Sequence, residues 1–423
     1  MNKLIQYFFL ILIPLYPLWA WIIYSVTKRN ADIFTFAAFV PVVAYLVMNQ
    51  KIRIPRYLIF LALFSLYNLI SVYVNDLIPP QMNPVFFLFA DENMLACLAF
   101  FAVENTRFDD KFIKKMNGMV LLLVAATLTV SLIQIKFNTF FISPEIRDNP
   151  LNYIYFQQHR NFSVFSWINI NSLGLTFPIL ISLLVAAPNM ARGSFPLALL
   201  SGMVVSFLSK ARYIMISVII AISQMFFVKK LELSKKIYIL LIIVAMGGAL
   251  VVLGNVYELN LNQVINDRIL ERRTGMGSAR ARIASLEVFL QVFPDHPWFG
   301  VGPQTGQNVL QLLRGVARSI HVGYLSYLYF YGIFGASLFF ISIFYLIRDS
   351  WIVGKKMNFW GSFYGFMTFC FANITFVYFN LSEIGIILAV IYLKYYKDKM
   401  EEESSEELIA SETLSDEELS RES

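Results

Sequence analysis

Seven arginines and no lysine occupy the longest polar stretch of this chain, residues 255–320. A guanidinium is planar and donates two parallel hydrogen bonds, so it suits a diphosphate better than a lysine ammonium does. Two of the seven lie near the start of a helix predicted over about 279–293, where the helix dipole also favours an anion. The stretch therefore predicts an anion site, although any single arginine could instead pair with a lipid headgroup or a nearby carboxylate. The seven are Arg268, Arg272, Arg273, Arg280, Arg282, Arg314 and Arg318.

His321 stands directly after this stretch, where the chain enters an aromatic helix. Imidazole exchanges protons near neutral pH, so His321 could take the proton of an alcohol during nucleophilic attack. The alternative is a structural histidine at the membrane interface. His296 lies between two prolines and is interpreted as a turn residue. Neither histidine has the cysteine or carboxylate spacing of a metal site, so we predict no metal and no cofactor.

The elements that must position these residues are membrane helices. The chain of 423 residues is 58% hydrophobic and only 15% charged, which is typical of an all-α polytopic membrane protein. Its net charge of +6 is explained by basic loops on one side of a membrane, and no basic-aromatic interleaving indicates nucleic acid. About twelve spans are predicted, at 4–26, 31–48, 57–78, 84–103, 119–137, 165–187, 195–209, 212–228, 237–254, 321–347, 359–379 and 382–396.

Basic residues are concentrated in every second loop, and this asymmetry predicts the orientation of the chain in the membrane. With the N-terminus inside, the basic loops are cytoplasmic, and residues 255–320 form one large, partly helical, extracytoplasmic catalytic loop. This loop divides spans one to nine (1–254) from spans ten to twelve (321–396), and a smaller outer loop covers 138–163. The acidic, serine-rich segment 397–423 is predicted to be a disordered cytoplasmic tail.

Three carboxylates fall within or beside apolar spans, where ionised groups are costly. Asp91 and Glu92 in the fourth span and Glu383 in the twelfth could mark a proton or ion path. Alternatively, they pair with a buried arginine or lie near a helix end. Cys97 and Cys370 both lie in apolar stretches and are interpreted as packing residues.

Four short motifs on the predicted outer face resemble those of the bacterial O-antigen polymerase and ligase superfamily. The run from Arg282 through Phe-Pro-Asp-His-Pro-Trp-Phe-Gly-Val-Gly302 resembles the family's arginine, helix and hPlfGvG turn. His321, separated from Gly332 by ten residues, is similar to its H-x10-G motif. Ser209-Lys-Ala-Arg212 resembles an S-x-S-R or T-R-A segment, and residues 160–171 resemble R-x-x-G-x-F-x-x-x-N. Leu286, Ala211 and Val322 depart from the residues most often found in these motifs.

The resemblance implies an integral membrane glycosyltransferase that uses a polyprenyl-diphosphate-linked glycan, without metal or nucleotide sugar. The leaving diphosphate needs charge stabilisation, for which Arg212, Arg282, Arg280 and Arg160 are the candidates. His321 is the candidate base for the acceptor hydroxyl. Tyr324 and Tyr327, followed by Tyr331, could stack on sugar rings or form core and interfacial packing instead.

Several functions remain open at this point. The leading prediction is a polymerase in the inner membrane that adds the growing glycan to the next lipid-linked repeat unit. A ligase would use the same donor but transfer the glycan to lipid A-core. A lipid-linked glycan flippase, an ion-coupled carrier and a structural envelope subunit are the non-enzymatic alternatives. Expected partners are the lipid-linked donor and acceptor, membrane lipids, a flippase and a chain-length regulator, but no nucleic acid.

Overall fold

The computed structural model describes residues 2–27, 31–74, 92–137, 163–167, 172–187, 194–209, 211–227, 244, 248, 277–303, 320, 322–374 and 379–422, in places by backbone alone. Within those residues every regular element is a helix, which confirms the all-α class. Two short 3₁₀ helices cover Ser163–Trp167 and Phe293–Asp295. In chain order the α-helices are α1 (Asn2–Leu12), α2 (Tyr16–Thr27), α3 (Ala31–Asn49), α4 (Arg56–Val74), α5 (Glu92–Glu104), α6 (Asp110–Phe137), α7 (Ser172–Ala186), α8 (Ser194–Leu208), α9 (Arg212–Phe227), α10 (Gly277–Val292), α11 (Gly323–Met357), α12 (Gly361–Ala372) and α13 (Ile384–Glu422).

Three of the described helices, α4, α6 and α11, are long and apolar enough to cross a membrane. The apolar helices α1 and α2 together make a fourth candidate, bent by 72° at the break between them. Pro14 lies at that break and has no N–H to continue the helix. The expected first span, 4–26, is therefore two helices set at an angle. These lengths and compositions are those of a membrane protein.

Most other predicted spans coincide with a described helix. The span 165–187 divides into the first 3₁₀ helix and α7, while 321–347 corresponds to the longer α11. The span 237–254 lies outside the described residues except for two isolated positions, so the count of twelve stays a prediction. The helix expected over about 279–293 is α10, and a second short helix expected over 305–318 lies outside the described residues.

Helix α7 is the centre of the bundle, because every one of its side chains is buried. It packs against α8, α9, α12 and α13. A Cβ on Gly385 of α13 would lie 2.9 Å from the Cα of Thr176, and one on Gly365 of α12 would lie 3.0 Å from the Ile179 side chain. Small residues let membrane helices approach this closely, and close packing replaces the hydrophobic effect that lipid does not supply.

Ion pairs hold the last helix to the loops after α3 and α5. Arg53 contacts Glu401 at 3.1 Å and Arg107 contacts Glu402 at 2.6 Å. Lys397 also meets Asp349 of α11 at 3.2 Å. In the structure α13 continues to Glu422, through the segment 397–423 for which composition predicted a disordered tail. Glutamate is a good helix former, and these pairs anchor the start of the extension, which composition alone did not reveal.

Asp398→Asn is expected to lower the free energy of unfolding by about 3 kcal/mol, because it leaves the buried ammonium of Lys394, one helical turn away, without its partner. Thermal unfolding in detergent measures the change. Glu402→Gln is the matched control, because its pair with Arg107 is exposed and such pairs contribute about 0–1 kcal/mol. Equal unfolding temperatures for the two variants would contradict the prediction.

Candidate functional site

The turn that follows α10 inserts into a break in α11. Gly332 has φ 63° and ψ −171°, so α11 is interrupted there. The turn, residues 297–302, lies against this break and forms four backbone hydrogen bonds with it. We call the turn and the break together the junction. Its bonds run from Val301 N to Tyr329 O (3.0 Å), from Gly302 N to Phe330 O (2.9 Å), from Ile333 N to Pro297 O (2.8 Å) and from Phe334 N to Trp298 O (3.0 Å).

These four bonds replace two bonds of a continuous helix. In an unbroken α11, Ile333 N would donate to Tyr329 O and Phe334 N to Phe330 O. Here the two N–H groups donate to carbonyls of the turn, and the two carbonyls accept from N–H groups of the turn. The two N–H groups and the two carbonyls that the break releases are thus all hydrogen-bonded by the turn, as a membrane interior requires.

Glycine is required at both halves of the junction. Gly300 has φ 68°, and a Cβ there would lie 2.5 Å from Gly332 N. A Cβ on Gly332 would lie 2.4 Å from the carbonyl carbon and oxygen of Trp298. Such distances are below any tolerated contact, and both φ values are in the left-handed region. The glycines of the hPlfGvG turn and of the H-x10-G motif are therefore two sides of one backbone contact.

Tyr67 of α4 ties the junction to the rest of the bundle. Its hydroxyl lies 2.7 Å from Phe299 O in the turn and 3.0 Å from Tyr331 O beside the break. Its ring occupies the space that a side chain on Gly335 would fill, because a Cβ there would lie 2.3 Å from the ring. Sequence reasoning missed Tyr67, which is one of many aromatic residues in an apolar span.

Tyr67→Phe is expected to destabilise the protein by about 1–2 kcal/mol, since two carbonyls lose their shared donor while the ring contact stays. The effect should appear as a lower unfolding temperature in detergent. Tyr73→Phe on the same helix is the control, because Tyr73 is largely exposed. A wild-type unfolding temperature for Tyr67→Phe would show that its hydroxyl contributes nothing to the junction.

The junction connects the two elements that carry the predicted chemistry. Helix α10 bears Arg282 with an exposed side chain and packs its inner face, including buried Ser285 and Val288, toward the bundle. The chain then passes through stacked rings of Phe289 and Phe293, 4.6 Å apart, into the turn. Docking of the turn consequently fixes the position of α10 relative to α11, which begins two residues after His321.

The other predicted site residues are described less fully. His321 and Arg160 lie outside the described residues. For Arg212, the first residue of α9, and Arg280, in the first turn of α10, only the backbone is described. Among its described chain neighbours, Ile320 is fully buried, and Gly323 N donates to Asn373 O at 3.1 Å. The structure brings together α10, which bears Arg282, and α11, which begins two residues after His321.

Two of the motifs have defined backbone surroundings. The Oγ of Ser209 donates to Ser206 O at 2.6 Å and accepts from Ala211 N at 3.3 Å, which ends α8 and leads into α9. Ser163, at the glycine position of R-x-x-G-x-F, has a left-handed φ of 52°. Its Oγ donates to Thr127 O at 2.6 Å and its N–H to the Gln134 side chain at 3.2 Å. Both motifs thus turn the chain just before or after a membrane helix.

Comparison with protein families agrees with this geometry. The O-antigen ligase family model matches residues 195–340. The resemblance to the O-antigen polymerase and ligase superfamily is confirmed. The members of this family are glycosyltransferase-like enzymes of the membrane, and the matched O-antigen ligase region contains α8, α9, α10 and the whole junction. No curated protein matches the chain in the corresponding search.

Glu383 lies outside the matched region and contacts Ser172, next to the motif predicted over 160–171. The carboxylate is buried just before α13 and accepts hydrogen bonds from Ser172 Oγ (2.8 Å) and Thr176 Oγ1 (3.1 Å). Ser172 directly follows the Arg160–Asn171 motif. The sequence left three alternatives for Glu383: an ion path, a pair with a buried arginine, or a position near a helix end. The position just before α13, with two hydroxyl partners, agrees with the third. Glu92 is the first residue of α5, while Asp91 lies outside the described residues.

The two tyrosines considered for sugar binding lie in an aromatic cluster. The Tyr327 hydroxyl donates to Phe379 O at 2.9 Å, and its buried ring lies 4.3 Å from that of Phe339. The Tyr324 hydroxyl donates to Cys370 O at 3.0 Å, and its ring stacks on Phe340 at 5.5 Å. Sequence analysis gave two alternatives for these tyrosines, sugar stacking and core packing, and the observed contacts are those of core packing. We assign no sugar-binding role to either residue.

Metal chemistry has no candidate ligand set in the part of the chain that the structure describes. There, no group of three or more histidine, cysteine, aspartate and glutamate side chains comes together. Arg282, exposed on α10, is a cationic side chain that the structure describes within the matched region. What the arrangement can do chemically is bind an anion beside a helix that follows a histidine.

Proposed function

We propose that this protein is a polysaccharide polymerase of the cell envelope. It transfers a glycan from a polyprenyl diphosphate to a hydroxyl of the next lipid-linked repeat unit. The glycan can be an O-antigen, a capsule or an exopolysaccharide. The proposal is supported chiefly by the junction, which holds the helix of Arg282 against the helix that follows His321, within a region that matches the O-antigen ligase family.

The reaction forms a bond between the acceptor oxygen and the anomeric carbon and breaks the bond from that carbon to the diphosphate oxygen. His321 takes the proton of the acceptor hydroxyl. The departing polyprenyl diphosphate leaves with the bonding electron pair as an anion. Arg212, Arg282, Arg280 and Arg160 stabilise it with charge-assisted hydrogen bonds, so no metal is required.

The orientation that we propose places this site on the outer face of the inner membrane. Arg53 and Arg107, from two loops predicted to be cytoplasmic, contact the beginning of the C-terminal extension. Those loops and the C-terminal segment therefore share one side, as expected if both termini are cytoplasmic. A flippase that delivers lipid-linked units and a regulator of chain length are the partners expected at this membrane.

An assay with purified protein in liposomes, lipid-linked repeat units and EDTA tests the proposal. Chain growth, followed as a ladder of lipid-linked glycans on a gel, is the expected result. It would establish both the enzymatic activity and its independence of divalent metal. An intact, well-folded preparation that produces no ladder with matched repeat units, with or without divalent metal, would overturn the proposal.

Ligation is the second candidate, because the matching family model is that of an O-antigen ligase. The donor and the arginine and histidine roles would be the same, and only the acceptor, lipid A-core, would differ. Deletion of the gene separates the two functions. Accumulation of single lipid-linked repeat units indicates a polymerase, whereas accumulation of full-length lipid-linked polymer indicates a ligase.

A further inference from the structure

An exposed apolar surface covers the outer side of α10 and the docked turn. Leu290 of α10, Trp298 and Phe299 of the turn are 62%, 64% and 65% exposed. Ile283 and Leu286 are also exposed and share a helix face with Leu290, at spacings of three and four residues. We call the set Ile283, Leu286, Leu290, Trp298 and Phe299 the apolar patch.

Helix α10 has three kinds of surface along its length, whereas an ordinary amphipathic helix has one buried and one polar surface. One faces the bundle and contains the buried residues Ser285 and Val288. The second is the apolar part of the patch. The third is polar and exposed, with Glu287 and Gln291 directly beside the apolar strip. An exposed apolar strip beside an exposed polar strip suits a position between lipid and water, where one side of the helix meets each.

The apolar patch is continuous with a surface that faces lipid. The ring of Phe299 lies 6.1 Å from that of Phe334, which is 51% exposed on the membrane-crossing helix α11. Phe334 in turn contacts Tyr67 of the membrane-crossing helix α4, with ring centroids 5.6 Å apart. An uncovered aromatic ring on a helix long and apolar enough to cross a membrane is suited to contact with lipid. Phe299 continues this apolar surface past the break in α11.

We propose that the apolar patch is immersed in the interfacial layer of the lipid bilayer. Tryptophan and other aromatic side chains are enriched at this depth, where headgroups meet acyl chains. The four backbone bonds of the junction fix the turn at a set height on α11, so the depth of the patch is defined by the protein. Helix α10 then lies along the membrane surface, with its polar strip toward water.

Immersion of the patch also determines the depth of Arg282. This step rests on the proposed function, in which Arg282 binds the donor diphosphate. Arg282 directly precedes Ile283 of the patch and is exposed on the same helix. Its guanidinium is then held at headgroup depth, where the diphosphate of a lipid-linked donor lies. Helix α10 would therefore hold Arg282 at the membrane surface before any lipid-linked donor binds.

Depth-dependent fluorescence quenching tests the immersion without substrate. Single cysteines at Leu290→Cys and Trp298→Cys, in a Cys97→Ala, Cys370→Ala background, carry an environment-sensitive dye. The protein is placed in phosphatidylethanolamine and phosphatidylglycerol vesicles with a nitroxide high on the acyl chain. Glu287→Cys, on the polar strip of the same helix, is the matched control. Quenching by the lipid nitroxide should be at least about twofold stronger at Leu290 and Trp298 than at Glu287, and quenching by aqueous iodide should show the reverse order.

Two results would overturn the proposal. Equally weak quenching by the lipid nitroxide and equally strong quenching by iodide at all three positions would mean that the patch faces water. Protection of Leu290 and Trp298 from both quenchers would mean that protein covers it. If the cysteine variants do not fold, brominated lipid with the wild type and with Trp298→Phe gives the same information, because immersion predicts that the variant loses a strongly quenched component. None of these measurements depends on glycan transfer, so immersion can fail while the proposed activity stands, and the reverse.

Discussion

Gly332→Ala is expected to abolish polymer formation while the protein remains in the membrane. The substitution places a methyl group 2.4 Å from the Trp298 carbonyl and puts a non-glycine residue at φ 63°. Backbone angles of φ 63° and ψ −171° are adopted almost only by glycine and cost another residue about 1–3 kcal/mol. The overlap can be relieved only by moving the turn away from α11. When the turn moves, α10 and Arg282 lose their fixed position relative to His321. Polymer length on gels and protein content of isolated membranes are the two measurements.

Gly118→Ala is the matched control for this experiment, because a Cβ on Gly118 of α6 would meet nothing within 4 Å. Gly300→Ala provides an independent test from the other side of the junction, with its Cβ 2.5 Å from Gly332 N. We expect Gly300→Ala to behave as Gly332→Ala does and Gly118→Ala to behave as wild type. Normal polymer from both junction variants would mean that docking of the turn is irrelevant to activity.

His321→Ala and Arg282→Ala are each expected to reduce the rate of glycan transfer by about 10²–10⁴-fold, the range typical of a lost general base or a lost electrostatic contact. Arg282→Lys should recover only part of the activity, since lysine keeps the charge but not the two parallel donors. Initial rates with purified protein in liposomes measure these effects. A pH–rate profile of His321→Ala that has lost its acidic limb would identify the base specifically.

Gln291→Ala is the control for Arg282, because Gln291 is exposed on the same helix and its side chain carries no charge. It should leave the rate unchanged within about twofold, as is usual for a surface substitution. Wild-type rates in both His321→Ala and Arg282→Ala would exclude the catalytic assignment. Loss of function only on neutralising Glu92 would instead favour a carrier.

The sequence predicted the helical class and the positions of several elements, because apolar length and 3.6-residue periodicity determine both. Helix α10 lies where its periodicity placed it, and α4 and α9 follow the predicted spans closely. The motifs also identified Gly300 and Gly332 as landmarks. What they did not reveal is that these residues touch, since a contact between positions 32 residues apart depends on the tertiary fold.

The features that the sequence did not predict depend on single long-range partners. Tyr67 is unremarkable in an apolar span until its hydroxyl meets two carbonyls of the junction. The acidic C-terminal segment has the composition of a disordered tail, yet its first turns pair with Arg53 and Arg107. Tyr327 occupies a helix face that could equally serve a ligand or the core, and only the neighbouring rings show that it is packed.

The hydrogen bonding at the break in α11 also allows the junction to be reversible. If the turn left, Ile333 and Phe334 would regain Tyr329 O and Phe330 O as acceptors when α11 became continuous. The freed N–H groups of Val301 and Gly302 would then be hydrated at the membrane interface. The N–H groups of Ile333 and Phe334 and the carbonyls of Tyr329 and Phe330 would therefore be hydrogen-bonded in both the docked and the undocked state. Undocking leaves none of these four groups unpaired in lipid. Undocking of the turn therefore requires no unfolding of the membrane helix on either side of the break.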